Sequence, residues 1–215
     1  MRARHTLVVT LAAGALLLPL TTAGAAPPPP AADLGREVLP PGDGWASYQG
    51  ATVPDGKPAV DRPDGSAGIY GVVEVRHPAV FVVPVTADDE VVLVEVDRYT
   101  TGVSLEVPAG GSDGEDLLLA AQRELQEETG LVAGSWERIG AMFALNGISN
   151  APEHVFLARD LRPSGEQTEH AVEGITAVRT VPWAEVLAMV ADGTITDGET
   201  VAALLYAAIA LRRIT

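Results

Sequence analysis

The sequence predicts an α+β fold, a mixed β-sheet flanked by a few helices. Three observations carry that reading. Runs rich in β-branched residues, separated by turn signals, fill the chain from Ile69 to Val107. The segment from Glu115 to Thr129 has helical rather than alternating periodicity. Further strand-like runs follow, and two helical segments close the chain.

Taken in order, Ile69–Arg76, Val80–Val85 and Val91–Val96 read as strands, broken by Pro78 and by the turn Ala87-Asp88-Asp89-Glu90. Val103–Val107 is a fourth, ending at Pro108. A Gly-rich loop leads into the helix from about Glu115 to Thr129, and Gly130 stops it in the left-handed conformation that glycine adopts without strain. Strands are expected at Trp136–Phe143, His154–Ala158 and Ile175–Pro182. Pro182 suits the first turn of a helix ending near Asp192-Gly193. Thr196-x-x-Glu199 reads as the capping box of a last helix, which runs to Arg212-Arg213, cations well placed at a helix C-terminus.

The N-terminal part differs in kind. Arg2 and Arg4 precede an apolar run from Leu7 to Leu20, and Ala23-Gly24-Ala25 follows. Residues 1–25 thus read as a secretory signal peptide, too short and too Pro-interrupted for a membrane span. Residues 26–66 open with Pro27-Pro28-Pro29-Pro30 and are dotted with turn pairs, so they read as an irregular Pro/Gly-rich extension, with Trp45 and Tyr48 as its hydrophobic anchors. The folded domain spans 67–215. The mature chain is expected to be secreted or extracytoplasmic, or cytoplasmic if the start codon lies downstream of Met1.

Composition narrows the function. The 215 residues carry 14 basic and 29 acidic side chains, a formal charge of -15. Loss of residues 1–25 removes two arginines and leaves -17. Such a surface repels nucleic acid and anionic lipid. The chain has no cysteine, which excludes disulfides, thiolate zinc sites and Cys nucleophiles.

The chemistry is concentrated in Gly110–Leu131. On a helix, Glu124, Glu127 and Glu128 stand at i, i+3 and i+4, so three carboxylates project together and repel one another. Leu117, Ala121 and Leu125 form a separate apolar stripe that docks the helix on the sheet. An acidic stripe on a docked helix suits hard cations such as Mg²⁺ or Mn²⁺. Three glutamates alone would more readily make a solvated face.

The spacing upstream separates these readings. Glu115, seven residues, then Arg123-Glu124-Leu125-x-Glu127-Glu128-x-Gly130-Leu131 resembles the box of the Nudix family, G-x5-E-x7-R-E-U-x-E-E-x-G-U with U aliphatic. Only four residues separate Gly110 from Glu115, so either the loop is one residue short or Ala109 takes the glycine slot. The resemblance runs from about Ile69 to Ala210. Leu105-Glu106-Val107-Pro108-Ala109-Gly110, Arg98-Tyr99 and Gly193-x-Ile195-x-Asp197 are similar to segments of the ADP-ribose pyrophosphatase branch, although Val96 stands where that branch has glutamine.

The resemblance implies a Nudix-type α/β/α sandwich. It implies hydrolysis of a nucleoside diphosphate linked to another group, preferably ADP-ribose or a nucleoside-diphosphate sugar, with Mg²⁺ or Mn²⁺. Glu124 and Glu128 match the main metal-binding carboxylates, Glu127 a third ligand or a base acting through water, and Ala109 a carbonyl donor. Arg123 and Glu115 match a structural ion pair, with Gly110 and Gly130 fixing loop and helix end. Arg98 and Glu106 are candidate substrate contacts, against a surface ion pair and an exposed strand position. Glu173 is the candidate catalytic glutamate near the last strand, with Glu166 and Glu169 as rivals. Glu153 sits near another loop position of the branch, and His154 reads as part of a strand. A homodimer is common among ADP-ribose-cleaving members. Two other readings stand beside this one: a catalytically weak Nudix module that binds nucleotides as a sensor or scaffold, and an acidic Ca²⁺ binder. The latter lacks a D-x-D-x-D-G loop.

Overall fold

The computed structural model describes residues 60–61, 67–68, 73, 75–165, 168 and 170–214. The expected signal peptide, the expected extension up to Ala59 and at 62–66, Glu166 and Glu169 lie outside the described residues, as does most of the expected strand Ile69–Arg76. Its described end is not a strand, because Val73 makes only an isolated bridge to Ser149 and Arg76 and His77 form a bend. In chain order the elements are β1 (Val60–Asp61), β2 (Ala67–Gly68), β3 (Ala79–Pro84), β4 (Glu90–Arg98), β5 (Gly102–Glu106), β6 (Ala109–Gly111), α1 (Leu117–Thr129), β7 (Leu131–Phe143), β8 (Pro152–Pro163), α2 (His170–Glu173), β9 (Ile175–Pro182), α3 (Trp183–Ala191) and α4 (Gly198–Ala210).

Besides the two-residue β1–β2 ladder, the strands form two sheets. The larger has the order β6-β3-β8-β7 and is mixed, with β3 and β8 parallel and both outer pairs antiparallel. The other, β5-β4-β9, is antiparallel throughout. The architecture is the expected α+β sandwich, with the strands divided between two sheets rather than lying in one.

Burial follows the pleat. Val80, Val82, Phe156 and Ala158 face one side of the larger sheet, where Ala120, Ala121 and Leu125 of α1 cover them. Phe81, Val83, Val155 and Leu157 face the other side and pack with Leu93, Leu105 and Val181 of the smaller sheet and with α3 and α4. The apolar stripe of α1 therefore docks as the spacing predicts, while Leu119 stays exposed. Gly140, at a register shift in β7, makes the α4 contact possible: a Cβ there would sit 2.5 Å from the Tyr206 ring, whose hydroxyl donates to the Ala141 carbonyl at 2.9 Å.

Several boundaries differ from expectation, each for a local reason. The helix starts at Leu117, not Glu115, because Asp116 is its N-cap and accepts from the Leu118 and Leu119 N–H groups. Gly130 ends it as expected, in the left-handed region at φ 70°. The expected Gly-rich loop contains a strand, β6, because the edge of β3 supplies its partners. β7 and β8 extend beyond their apolar cores by pairing with each other through Ala133 and Leu161. Asp197, not Thr196, caps α4, its carboxylate accepting from the Thr200 N–H at 2.7 Å. Pro182 ends β9 and precedes α3 instead of forming its first turn. α4 ends at Ala210, and Arg213 pairs with Asp89 and lies over the Trp183 ring, 4.6 Å from its centroid, rather than closing the helix. Among the described residues, no helix is long and apolar enough to cross a membrane.

Candidate active site

The site is assembled where α1 meets the short strand β6. Docking through Ala121 and Leu125 turns Glu124 and Glu128 inward, so both are buried. Glu128 Oε2 accepts the Ala109 N–H at 3.0 Å. Glu124 lies against Gly110 so closely that a Cβ on that residue would fall 2.2 Å from Glu124 Oε1. Glycine is required here by space, not by backbone conformation.

Arg123 ties the cluster together. Its Nη1 lies 2.9 Å from Glu124 Oε1 and 2.9 Å from Glu127 Oε2, its Nε donates to Glu115 at 3.3 Å, and its Nη2 donates to the Gly111 carbonyl at 2.9 Å. The expected Arg123–Glu115 pair is present, within a larger fork. One guanidinium thus joins the loop, the strand and two acidic side chains.

Electrostatics at the cluster are set by burial. Loss of solvent pushes Glu124 up to about 7, against the pull of Arg123, with Glu127 and Glu173 adding to the rise. Burial likewise pushes Glu128 up to about 8, opposed by the Ala109 N–H and reinforced by Glu124 and Glu173. Glu173 therefore stands within electrostatic reach of both buried carboxylates. It is itself exposed, at the end of α2, whose His170 Nε2 lies 2.6 Å from the Glu128 carbonyl oxygen.

Among the described residues, no three His, Asp or Glu side chains already converge on one point. Glu127 is turned to Arg123 and Glu128 to Ala109. The donor set nevertheless fits a hard divalent cation: oxygen ligands on a rigid helix, two of them in an environment that strains their ionised form, beside a strand kept bare by Gly110.

Beside the cluster lies a cavity of about 1110 Å³. Ala109, Gly110, Arg98 and Glu106 line it, as do Asp197 and Glu199 from the start of α4. The α1 carboxylates do not line it; the β6 backbone stands at this wall. Glu106 is buried, not an exposed strand residue, and holds Arg98 through two hydrogen bonds of 3.1 and 2.5 Å. Arg98 is raised above its ordinary value chiefly by that bond, with Glu128 and Asp197 contributing, so its charge reaches both α1 and α4.

Sequence reasoning named Glu153 and Glu199 separately and did not foresee that they form a second acidic group. Glu153 is 4% exposed, and burial, then Glu199 and Asp197, push it up to about 8. Its Oε2 has no hydrogen-bond partner. Spacing gives no sign that residues on β8 and α4 meet, and Glu199 reads as a capping residue until the cap proves to be Asp197. His154 lies in β8 as expected. Its Nδ1 is 2.7 Å from Arg138 Nη2, and burial, then that cation, lower its affinity for a proton.

Comparison with known proteins agrees with this geometry. The NUDIX domain family model matches residues 75–204. The ADP-ribose pyrophosphatase of Bacillus subtilis (strain 168) is 32% identical over 150 residues, covering 68% of this chain and 80% of that protein. The ADP-ribose pyrophosphatase of Mycobacterium tuberculosis (strain ATCC 25618 / H37Rv) is 34% identical over 149 residues, covering 68% and 72%. A solved structure described as an ADP compounds hydrolase shares the fold, with a TM-score of 0.63 at 23% identity over 71% of this chain and 82% of that one. The box geometry and the matched length together establish that this chain belongs to the Nudix family and, within it, resembles the ADP-ribose pyrophosphatases.

Proposed function

We propose that this protein hydrolyses the pyrophosphate bond of a nucleoside diphosphate joined to a sugar, ADP-ribose foremost, with Mg²⁺ or Mn²⁺. The observation that carries the reading is the buried Glu124–Glu128 pair held against Ala109 and Gly110 beside a cavity large enough for such a substrate. Glu124, Glu128 and Glu127, with the Ala109 carbonyl, would hold the cation. When bound there, a divalent cation supplies positive charge for the diphosphate and makes a nearby water more acidic.

The chain's own residues do the rest. Ionisation of Glu124 and Glu128 provides the negative charge that makes the site a cation receptor. Arg123 holds Glu124 and Glu127 in register with Gly111. Arg98, fixed by Glu106 and half exposed to the cavity, orients a phosphate oxygen. Glu173, near both buried carboxylates, accepts the proton of the attacking water. Water adds to one phosphorus, the bridging P–O bond breaks, and the products are a nucleoside monophosphate and a sugar phosphate. Positioning and charge neutralisation are the main catalytic contributions.

On the strength of Arg2, Arg4, the Leu7–Leu20 run and Ala23-Gly24-Ala25, the mature chain acts outside the cytoplasm. N-terminal sequencing of the native protein tests this: a start near Ala26 is expected, and an intact Arg2-bearing start refutes it.

The test of activity is incubation of the purified chain with ADP-ribose and Mg²⁺, with products resolved by mass. AMP and ribose phosphate are expected, with loss of turnover in EDTA. Tight nucleotide-sugar binding without any cleavage would instead favour the sensor or scaffold reading.

A further inference from the structure

The short helix α2 is held at its two ends by different parts of the fold. Glu128 lies next to the end of α1, where a carbonyl has no amide one turn ahead within the helix. The segment after β8 satisfies this end. The Ser164 N–H donates to the Gly130 carbonyl at 2.8 Å, and His170 Nε2 donates to the Glu128 carbonyl at 2.6 Å. A carbonyl only accepts, so the hydrogen lies on Nε2. At the other end of α2, the Gly174 carbonyl accepts the Asp97 N–H of β4 at 3.0 Å, with Gly174 in the left-handed region at φ 71°.

Between these anchors lies Glu173. α2 is a single turn, so His170 and Glu173 stand at i and i+3 on one face. The face that reaches the end of α1 through His170 therefore also carries the Glu173 carboxylate. The part that Glu173 plays in raising both Glu124 and Glu128 agrees with this placement. The two anchors fix different things. The Gly174 bond is made by main chain alone and sets where the chain leaves the turn. How the turn is rolled about that point is set by the His170 side chain, and that tie is the one a substitution can remove.

We propose that His170 is the positioning residue for Glu173: by tying α2 to the Glu128 carbonyl, it holds the Glu173 carboxylate beside the buried Glu124–Glu128 pair. The inference rests on the functional reading above, in which Glu173 takes the proton of the attacking water. A base must lie within hydrogen-bond reach of that water, and a misplacement of about 1 Å costs about a hundredfold in rate. His170 acts only through Glu173.

The experiment measures kcat and KM for ADP-ribose with Mg²⁺ in the full chain. The proteins are wild type, His170→Ala, His170→Gln, Glu173→Gln and the double variant His170→Ala with Glu173→Gln. His170→Ala should lower kcat about tenfold to a hundredfold, with KM and the Tm in EDTA little changed. His170→Gln, whose amide nitrogen donates from near the place of Nε2, should restore most of that loss. Glu173→Gln should lose about a hundredfold or more by itself. Adding His170→Ala to it should cost nothing further, because nothing is left to position. A second readout needs no turnover: in EDTA, hydrogen exchange over residues 170–176 should quicken in His170→Ala and slow again in His170→Gln.

Unchanged kcat or unchanged exchange in His170→Ala, beside an impaired Glu173→Gln, overturns the positioning role alone. So does an equal loss from His170→Ala in both backgrounds, or a large fall in its Tm, either of which makes the histidine structural. Near-normal turnover by Glu173→Gln overturns Glu173 as the base, and the role of His170 with it. Failure of wild type to cleave any nucleoside diphosphate sugar overturns the functional reading and everything that rests on it.

Discussion

Ala109 and Glu128 are joined by a 3.0 Å hydrogen bond from the Ala109 N–H to Glu128 Oε2, so the strand before the box holds a carboxylate near the end of the helix. The bond opposes, without cancelling, the burial that pushes Glu128 up to about 8. Glu128 is thus positioned by the fold while its ionised form is held at a cost, which a cation bound there would relieve.

Glu128→Gln follows from this balance. Glutamine keeps an oxygen to accept the Ala109 N–H and removes a charge that burial disfavours. The metal-free variant should melt at or slightly above wild type at pH 8, while turnover falls by about a hundredfold or more, the scale of losing one electrostatic group at a reacting centre. Thermal melting in EDTA beside initial rates in Mg²⁺ reads both. A lower Tm with near-normal rates would make this carboxylate structural.

Arg123→Ala should lose stability and activity together. The side chain joins Glu115, Glu124, Glu127 and the Gly111 carbonyl, and its removal leaves neighbouring acids with no cation between them. The expected destabilisation is about 1–3 kcal/mol. Urea unfolding checks it, and a variant as stable as wild type would show that the fork contributes nothing net.

Gly110→Ala isolates the close approach. The backbone there tolerates alanine, but the new methyl would sit within the Glu124 carboxylate. Overpacking of this kind costs about 1–3 kcal/mol, and the displaced carboxylate should lower Mg²⁺ affinity. Calorimetric titration with Mg²⁺ is the measurement; unchanged affinity would mean Glu124 is not a ligand.

Stability without metal should fall as pH rises. Glu124, Glu128 and Glu153 all hold protons more tightly folded than unfolded, with values of about 7, about 8 and about 8 against an ordinary 4.5. Between pH 4.5 and 8 the native state therefore binds more protons, so the contribution is fully present below pH 4.5 and is lost as pH passes through 8. Saturating Mg²⁺ should flatten the Glu124 and Glu128 part of this slope, and Glu153→Gln the Glu153 part. A Tm in EDTA that climbs from pH 5.5 to 8.5 would contradict the assignment.

The parts of this arrangement legible in sequence were those carried by local periodicity. Leu117, Ala121 and Leu125 mark the docked face of α1, Gly130 its end, and Glu115 with Arg123 the ion pair, because each relation spans at most two turns of helix or a short loop. Asp116 as the N-cap and β6 within a Gly-rich loop were hidden, since the first competes with nearby polar residues and the second depends on β3 for its hydrogen bonds. The Glu153–Glu199 contact was hidden more deeply. It arises only when the fold brings β8 beside α4, which also packs on β7 through Tyr206 and Gly140, a tertiary event with no local signature.

The Thr200 hydroxyl accepts the Val107 N–H at 3.1 Å, which fixes the chain between β5 and β6 to the start of the final helix. A chain cut ahead of α4 would therefore keep every residue of the box and lose both this tie and one wall of the cavity.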